Sequence, residues 1–256
     1  MTEYIQTEVR GHILIIRLNR PEARNAFNKG MAEKMESIID DYDANPALRA
    51  AIIVAEGPTF SAGQDLIAAA KGERAVTRKR GGFGIMGQPP LKPLIAAVEG
   101  QALAGGMELT LCCDIIVASR AAVFGLSEAK RGLVAVGGGC FRLPRRIPHQ
   151  VAMEMIVTAE PRPAEDMARL GYVNHLVEPG QALEAALEYA ALIVRNAPLA
   201  VQASKTIAAR SAAEQWTDAE AWEKQAEIVA PLRRSEDMQE GLRAFAEKRD
   251  PVWQGK

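Results

Sequence analysis

Hydrophobic positions along this chain fall into short strand-like runs followed by longer helical stripes. Residues 4–9 and 13–18 carry strand patterns and meet at Arg10-Gly11-His12, which predicts a hairpin. Residues 19–26 form a polar loop broken by Pro21. Asn28 then predicts a helix cap, with Met31, Met35, Ile38, Ile39 and Tyr42 on one face and Pro46 beyond it. Residues 50–54 are continuously apolar, the pattern of a strand buried on both faces. Similar runs at 93–98 and 115–118 predict two more buried strands. From about Gln150 onward helical patterns dominate. Leu183, Leu187, Ala190 and Val194 make one stripe, Pro198 opens a helix running towards Ser211, and 216–231 and 235–249 read as two more helices. Strands alternating with helices predict an α/β core with parallel strands, and a tail more helical than the first two-thirds.

Two small-residue turns follow predicted strands: Phe60-Ser61-Ala62-Gly63-Gln64-Asp65-Leu66 and Gly100 to Glu108, with its Gly105-Gly106 pair. Ligands of parallel α/β folds gather at the carboxyl ends of strands, so both turns are expected on one side of the core. Each offers a backbone N–H, from Gln64 and from Gly105. Two convergent donors stabilise the charge that builds on a carbonyl oxygen as it becomes an enolate. Glu108 sits one step from the second donor, inside an apolar run where an acid has little structural reason to be. Glu128 follows a further strand and loop, and two carboxyls facing one pocket could divide acid and base work around one water.

Blander readings stand beside these. Glu108 reads equally as an acid favoured by a helix dipole, and Glu128, near Lys130 and Arg131, as half of a surface ion pair. Gly105-Gly106 could serve close helix–strand packing. Ser61 lacks a Gly-x-Ser-x-Gly elbow and reads as a turn residue. His12, His149 and His175, in turn, loop and strand-like contexts, read as structural, and Asp65 and Asp114 as residues that cap or tie down turns. The basic run Lys71, Arg74, Arg78, Lys79 and Arg80, leading into Gly81-Gly82-Phe83-Gly84, reads as a solvated, mobile segment or else as a lid or anion contact.

Composition narrows the class. A chain of 256 residues, 48% hydrophobic and 25% charged, fits one ordinary globular domain with a helical appendage and is long enough to bury a large core. A net charge of −1 argues against a nucleic-acid partner. Cys112, Cys113 and Cys140 are an odd set with two adjacent, a poor disulfide framework, which points to a reducing, cytoplasmic setting. Their spacing does not suit zinc, so no metal is expected. Neither a secretory signal nor a membrane-spanning run is expected. A nicotinamide oxidoreductase is disfavoured because no Gly-x-Gly-x-x-Gly follows the first strand.

In their order, these motifs closely resemble the crotonase, or enoyl-CoA hydratase/isomerase, family over nearly the whole chain. The resemblance rests on Leu18-Asn19-Arg20-Pro21 with Asn25-Ala26, on 60–66, on Lys92 to Gly100, on Gly105-Gly106-Met107-Glu108-Leu109, on Phe124-Gly125 with Glu128, and on 244–249. It implies a spiral of ββα turns over residues 1–197 and a helical region, 198–256, that mediates trimers, often paired into hexamers. It implies acyl-CoA thioester substrates and no metal or redox cofactor. Gln64 and Gly105 would form the oxyanion hole. Arg24, Ala26, Ala62, Asp65 and Leu66 would line the CoA channel, and Phe245 and Lys248 would meet CoA, often from a neighbouring subunit. Glu108 and Glu128 match both acids of true hydratases, which implies syn addition of water to a trans-2-enoyl-CoA. Glu128 would exchange the C2 proton and Glu108 would orient or activate the water. A carnitinyl-CoA-type dehydratase, an isomerase and a silent acyl-CoA-binding protein are the rival readings. Two features depart from the commoner pattern. Val136 stands where many hydratases have glycine near the pocket, and residues 127–130 with the ending 247–253 resemble the carnitinyl-CoA dehydratase branch.

Overall fold

A computed structural model describes residues 4–256. In chain order the strands are β1 (Ile5–Arg10), β2 (Ile13–Leu18), β3 (Ala50–Ala55), β4 (Thr59–Ser61), β5 (Val76–Thr77), β6 (Gly81–Gly82), β7 (Leu94–Val98), β8 (Gln101–Leu103), β9 (Ile115–Ser119), β10 (Val123–Gly125), β11 (Arg162–Pro163) and β12 (His175–Val177). The helices are α1 (Lys29–Ala44), α2 (Leu66–Ala70), α3 (Gly105–Thr110), α4 (Gly139–Arg142), α5 (His149–Thr158), α6 (Ala164–Arg169), α7 (Ala182–Val194), α8 (Pro198–Glu214), α9 (Asp218–Val229) and α10 (Glu236–Glu247).

The spiral is visible in the pairing. β3, β7 and β9 are parallel neighbours in a six-stranded sheet of order β1-β2-β3-β7-β9-β12. The strand that follows each of them goes to a second sheet of order β11-β10-β8-β4, in which β4, β8 and β10 are again parallel neighbours. Three ββα turns therefore stack side by side. The inner strands β2, β3, β7 and β9 of the large sheet are buried on both faces, as the unbroken apolar runs require, while the edge strand β1 is mostly exposed. Ala50, Ile52 and Val54 of β3 face one cluster, while Ala51 and Ile53 face the main core.

Local chemistry explains the flanking elements. The β1–β2 hairpin pairs Arg10 with Ile13 across Gly11-His12. The Asn28 side chain accepts the Met31 N–H at 3.0 Å and so caps α1, whose expected apolar face is buried. Lys92 is buried because its Nζ donates to the carbonyls of Tyr42, Asn45 and Leu48, neutralising the carboxyl end of α1. On α7 the expected stripe is rotated. Ala182, Ala186 and Ala190 are the residues fully buried against the sheet, with Leu183, Leu187 and Val194 half-buried at its flanks. Small side chains at the line of contact let the helix backbone approach the flat sheet closely. His149 opens α5 rather than lying in a loop. The reading of the basic run as a solvated, mobile segment is corrected at its end. Arg80 is buried, donates to Asp40 at 2.7 Å and Asp43 at 2.8 Å on or beside the inner face of α1, and holds the Gln88 carbonyl at 2.8 Å.

Helices α8–α10 extend from this core. Lys205 of α8 donates to Asp114 at 2.6 Å and to the Lys92 carbonyl at 2.8 Å. The final segment returns to the core, where Arg49 donates to the Trp253 carbonyl at 2.9 Å and the Trp253 indole to the Arg195 carbonyl at 2.8 Å. Among the described residues no helix is long and apolar enough to cross a membrane.

Candidate active site

The three adjacent parallel strands of the small sheet place the candidate residues. Gln64 follows the carboxyl end of β4, Gly105 that of β8 and Glu128 that of β10. One edge of one sheet thus collects residues far apart in the chain, as expected for ligand sites at strand carboxyl ends.

The two glycine turns lie back to back. Gly63 adopts φ +94°, and a Cβ there would meet the Gly105 nitrogen at 2.8 Å. A Cβ on Gly106 would overlap the Ser61 carbonyl, so this pair of turns tolerates no side chain. The direction of the Gln64 N–H follows from its neighbours. Phe27 N–H donates to the Gly63 carbonyl at 2.8 Å and Asp65 N–H to the Phe27 carbonyl at 2.9 Å. Such a parallel bridge between Phe27 and Gln64 points Gln64's own N–H away from Phe27. Gly105 is the first residue of α3, where an N–H has no partner within the helix. The residue before it, Ala104, holds φ 51° and ψ −128°, a conformation costing about 1–3 kcal/mol for a non-glycine residue. Nothing in an alanine signals this conformation in sequence.

Phe83 wedges the donor turns from behind. It stacks face to face on Phe27, with ring centroids 4.3 Å apart, and its ring lies 2.5 Å from where a Gly105 Cβ would stand. Segment 81–87 is therefore packed against the site rather than loose over it.

Glu108 is buried in the first turn of α3 and accepts the Gly139 N–H at 2.9 Å. Burial raises its carboxyl pKa, while the Gly139 and Gly137 amides and the Arg142 charge pull the other way. Arg142 is itself fixed, donating to the Met86 carbonyl at 2.6 Å. Glu128 is half-buried, and its Oε2 is enclosed with no hydrogen-bond partner in the protein. Burial first, and the nearby negative Glu108 further, push its carboxyl up to about 7. The two acids thus interact electrostatically but sit in different settings, one supplied with amide donors and one with an orphaned oxygen. Such unlike settings are what a pair of carboxyls needs to divide acid and base work. Cys140 feels the negative field of both.

The loop before α1 zips onto the first donor turn. Ala62 N–H donates to the Arg24 carbonyl at 2.9 Å, and Arg20 donates to the Ala26 carbonyl at 2.9 Å and to Asp65 at 2.8 Å. Arg24, Ala26, Ala62, Asp65 and Leu66 are brought together here. Asp65 spends one oxygen on Arg20 and the other capping α2 through the amides of Ile67 and Ala68, so its role is to tie the turn down. The Ala68 amide first, and then Arg20 and the Ile67 amide, hold its carboxyl below the ordinary range against the opposing effect of burial. Asp114 ties β7 to α8 through the Leu94 N–H and Lys205. Ser61 is buried and bonded to the Asn25 carbonyl, a turn residue as expected. His12 bonds the Ala47 carbonyl, and His175 stacks on Tyr189 with a 2.8 Å hydrogen bond.

Phe245 and Lys248 lie apart from this cluster, on α10 and at its carboxyl end, with Phe245 87% exposed. Val136 stands exposed just before Gly137. A cavity of about 50 Å³ at the far end of α3, lined by Thr110, Arg146, Tyr172 and Asn174 among others, includes neither glutamate. Among the described residues no group of three or more His, Cys, Asp or Glu is arranged to hold a metal ion. Besides Ala104, the residues missed in sequence are Phe83, whose flanking glycines were the available signal, and Arg142 and Met86, whose contacts are long-range.

A fold of stacked ββα turns, with two amide donors and two acids at one sheet edge, has known counterparts. The model of the family described as enoyl-CoA hydratase/isomerase matches residues 8–256, and the chain belongs to that family. It is 41% identical to enoyl-CoA hydratase EchA19 of Mycobacterium tuberculosis over 97% of this chain and 96% of that protein. It is 39% identical to the carnitinyl-CoA dehydratase of Escherichia coli K12 over the full length of both. The crystal structure of an enoyl-CoA hydratase from M. tuberculosis H37Rv superposes with a TM-score of 0.95 at 47% identity, covering 99% of each chain.

Proposed function

We propose that this protein is an enoyl-CoA hydratase that adds water reversibly and syn across a trans-2-enoyl-CoA thioester. The observation that carries the reading is the unlike pair of acids, Glu108 and Glu128, beside the donor turns of Gln64 and Gly105. Membership of the family and the names of its relatives support the substrate class.

In the hydration direction the thioester oxygen rests on the Gln64 and Gly105 N–H groups. Glu108, ionised and steadied by the Gly139 amide, takes a proton from a water whose oxygen bonds to C3. The C2–C3 π electrons move onto the thioester as an enolate, which the two amides stabilise. Glu128, protonated, delivers its proton to C2. One water is consumed, the acids exchange roles, and exchange with solvent resets them. The sum balances with no electron acceptor and no metal, so neither is part of the scheme.

Arg24, Ala26, Ala62, Asp65 and Leu66 are proposed to bound the CoA channel, Asp65 by fixing its shape. Phe245 and Lys248 are proposed to reach CoA of a neighbouring subunit in a trimer or dimer of trimers. Exposed Trp222, Leu242 and Phe245 on α9 and α10 support coverage by another copy. We take 1–197 as the spiral core and 198–256 as the assembling helical region, Pro198 being the first residue of α8. Free thiols at Cys112, Cys113 and Cys140 favour the cytoplasm. The test is loss of the conjugated enoyl-thioester absorbance with trans-2-enoyl-CoAs. Turnover supports the proposal. Binding of acyl-CoA without turnover of any enoyl-CoA favours a silent binding protein.

A further inference from the structure

We propose that Arg142 is a positioning residue for the acid pair: it clamps the glycine turn 137–139, whose amides hold Glu108, and so fixes the carboxylate that meets the water; this rests on the hydratase reading. Three segments from distant parts of the chain meet beside Glu108: α3 with Cys112 just beyond it, residues 81–87, and the turn that leads into α4. Arg142 bonds to each of them. Its Nη2 donates to the Met86 carbonyl at 2.6 Å, and its Nη1 donates to the Gly137 carbonyl and to the Cys112 sulfur, each at 3.4 Å. Cys112 in turn donates to the Glu108 carbonyl at 3.4 Å. The arginine chain lies directly on Gly138, where a Cβ would stand 2.9 Å from Nη1 and 3.2 Å from Cδ. The turn needs such a strut. Gly138 holds φ +118°, and consecutive glycines lose more backbone freedom on ordering than other residues would. Side chains cannot replace them, because a Cβ on Gly137 would collide with Met86 Sδ and Glu108 Oε2.

The charge of Arg142 acts on the same carboxylate. Its three partners are uncharged: two carbonyls, and a thiol that burial pushes up to about 11. The guanidinium charge is therefore not cancelled by them, and it favours the ionised form of Glu108 against the effect of burial. The other titratable groups around Glu108 are Glu128, which repels it when both are charged, and the thiols of Cys112 and Cys140, which burial keeps protonated. Arg142 is the cation set against Glu128. A lysine in its place would keep the charge but not the planar fork that reaches several acceptors at once.

The experiment compares Arg142→Met and Arg142→Lys with the wild type in the full chain. Arg142→Met should lower kcat about 100-fold, the usual cost of a misplaced reacting group. Its affinity for butanoyl-CoA, by calorimetry, should change by less than about threefold, which also shows that the variant is folded. The acid limb of its pH profile should move up by about one pH unit, because loss of a nearby cation makes Glu108 easier to protonate. Arg142→Lys should keep the acid limb within about 0.3 pH unit of the wild type and recover kcat to about tenfold below it. Carbon NMR of the Glu108 carboxyl, assigned as the signal missing from Glu108→Gln, reads the same shift without turnover. Normal kcat in Arg142→Met, or equal losses in both variants with the Glu108 titration unmoved, overturns the inference. Should Arg142→Met fail to bind acyl-CoA, Arg142→Lys decides: unchanged kcat, or affinity lost as far as kcat, overturns it. A wild type that turns over no enoyl-CoA, with the Glu108 titration shifted in Arg142→Met, sinks the hydratase reading and leaves the clamp standing. Turnover by the wild type with that titration unmoved does the reverse.

Discussion

Glu128→Gln isolates the proton-donor role at minimal change of shape. Glu128 has an enclosed oxygen with no partner, and burial with Glu108 nearby pushes its carboxyl up to about 7. About half of the enzyme therefore carries the C2 proton at neutral pH, and roughly a tenth one pH unit higher. Hydration kcat/KM of the wild type should fall about tenfold per unit on the alkaline side of that value. Glutamine can neither give nor take the proton, so turnover should drop roughly 10²- to 10⁴-fold, the usual worth of positioned acid–base catalysis. What activity remains should lack the alkaline limb. Its acid limb should stay near that of the wild type, because a neutral glutamine stands in for the protonated Glu128 present on that side of the profile. Enoyl-thioester absorbance followed from about pH 5 to about pH 9 reads all three effects. Calorimetry with a saturated acyl-CoA should show affinity changed by less than about threefold, since a group that acts only in the transition state contributes little to ground-state binding. An alkaline limb that survives unchanged in Glu128→Gln, or near-normal turnover, would remove Glu128 from the chemistry.

The same substitution should alter stability with a definite sign. Glu128 has a folded pKa above its ordinary 4.5, so its favourable contribution is complete below 4.5 and is lost as pH rises through about 7. Glu128→Gln should therefore melt close to wild type at pH 4 and higher than wild type above pH 7, by calorimetry; the opposite trend would show that the carboxylate is stabilised in the fold. Gly137→Ala would put a Cβ 2.6 Å from Glu108 Oε2 and must displace that carboxylate, so kcat should fall about 100-fold with acyl-CoA affinity much less affected. Unchanged kcat would show that the position of Glu108 is not critical. Asn25→Ala removes a buried amide that donates to the Glu56 and Thr59 carbonyls at 2.9 and 2.7 Å and accepts from the Arg20 N–H, at a residue holding φ 51°. Urea unfolding should show a loss of about 2–4 kcal/mol. A loss under 1 kcal/mol would mean that water replaces those bonds at little cost.

Much of the frame is legible along the chain. The unbroken apolar run of β3 implies burial on both faces, and the five apolar residues after the Asn28 cap of α1 mark its inner face. Gln64, Gly105, Glu108 and Glu128 stand out through their turns and through an acid in apolar company. Their meeting does not, because it depends on β4, β8 and β10 pairing side by side. Each of these strands has only three residues, too few for a periodic signal. Segment 71–84 looks solvated from its charges, yet the carboxylates that hold Arg80, Asp40 and Asp43, lie some forty residues away on α1. The α7 stripe is misjudged because periodicity weighs leucine above alanine, whereas close packing on a sheet selects alanine. Ala104 gives no warning of its strained backbone, since nothing in an alanine codes for positive φ.

The central claim is that two acids share one water on one face of an enoyl thioester held by two backbone amides. Hydration carried out in deuterium oxide, with the product's C2–C3 configuration read by proton NMR, tests it most directly. The expected product carries one deuterium at C2, added to the same face as the C3 oxygen, in a single diastereomer. Deuterium on the opposite face, or a mixture of the two, would contradict one water held between Glu108 and Glu128.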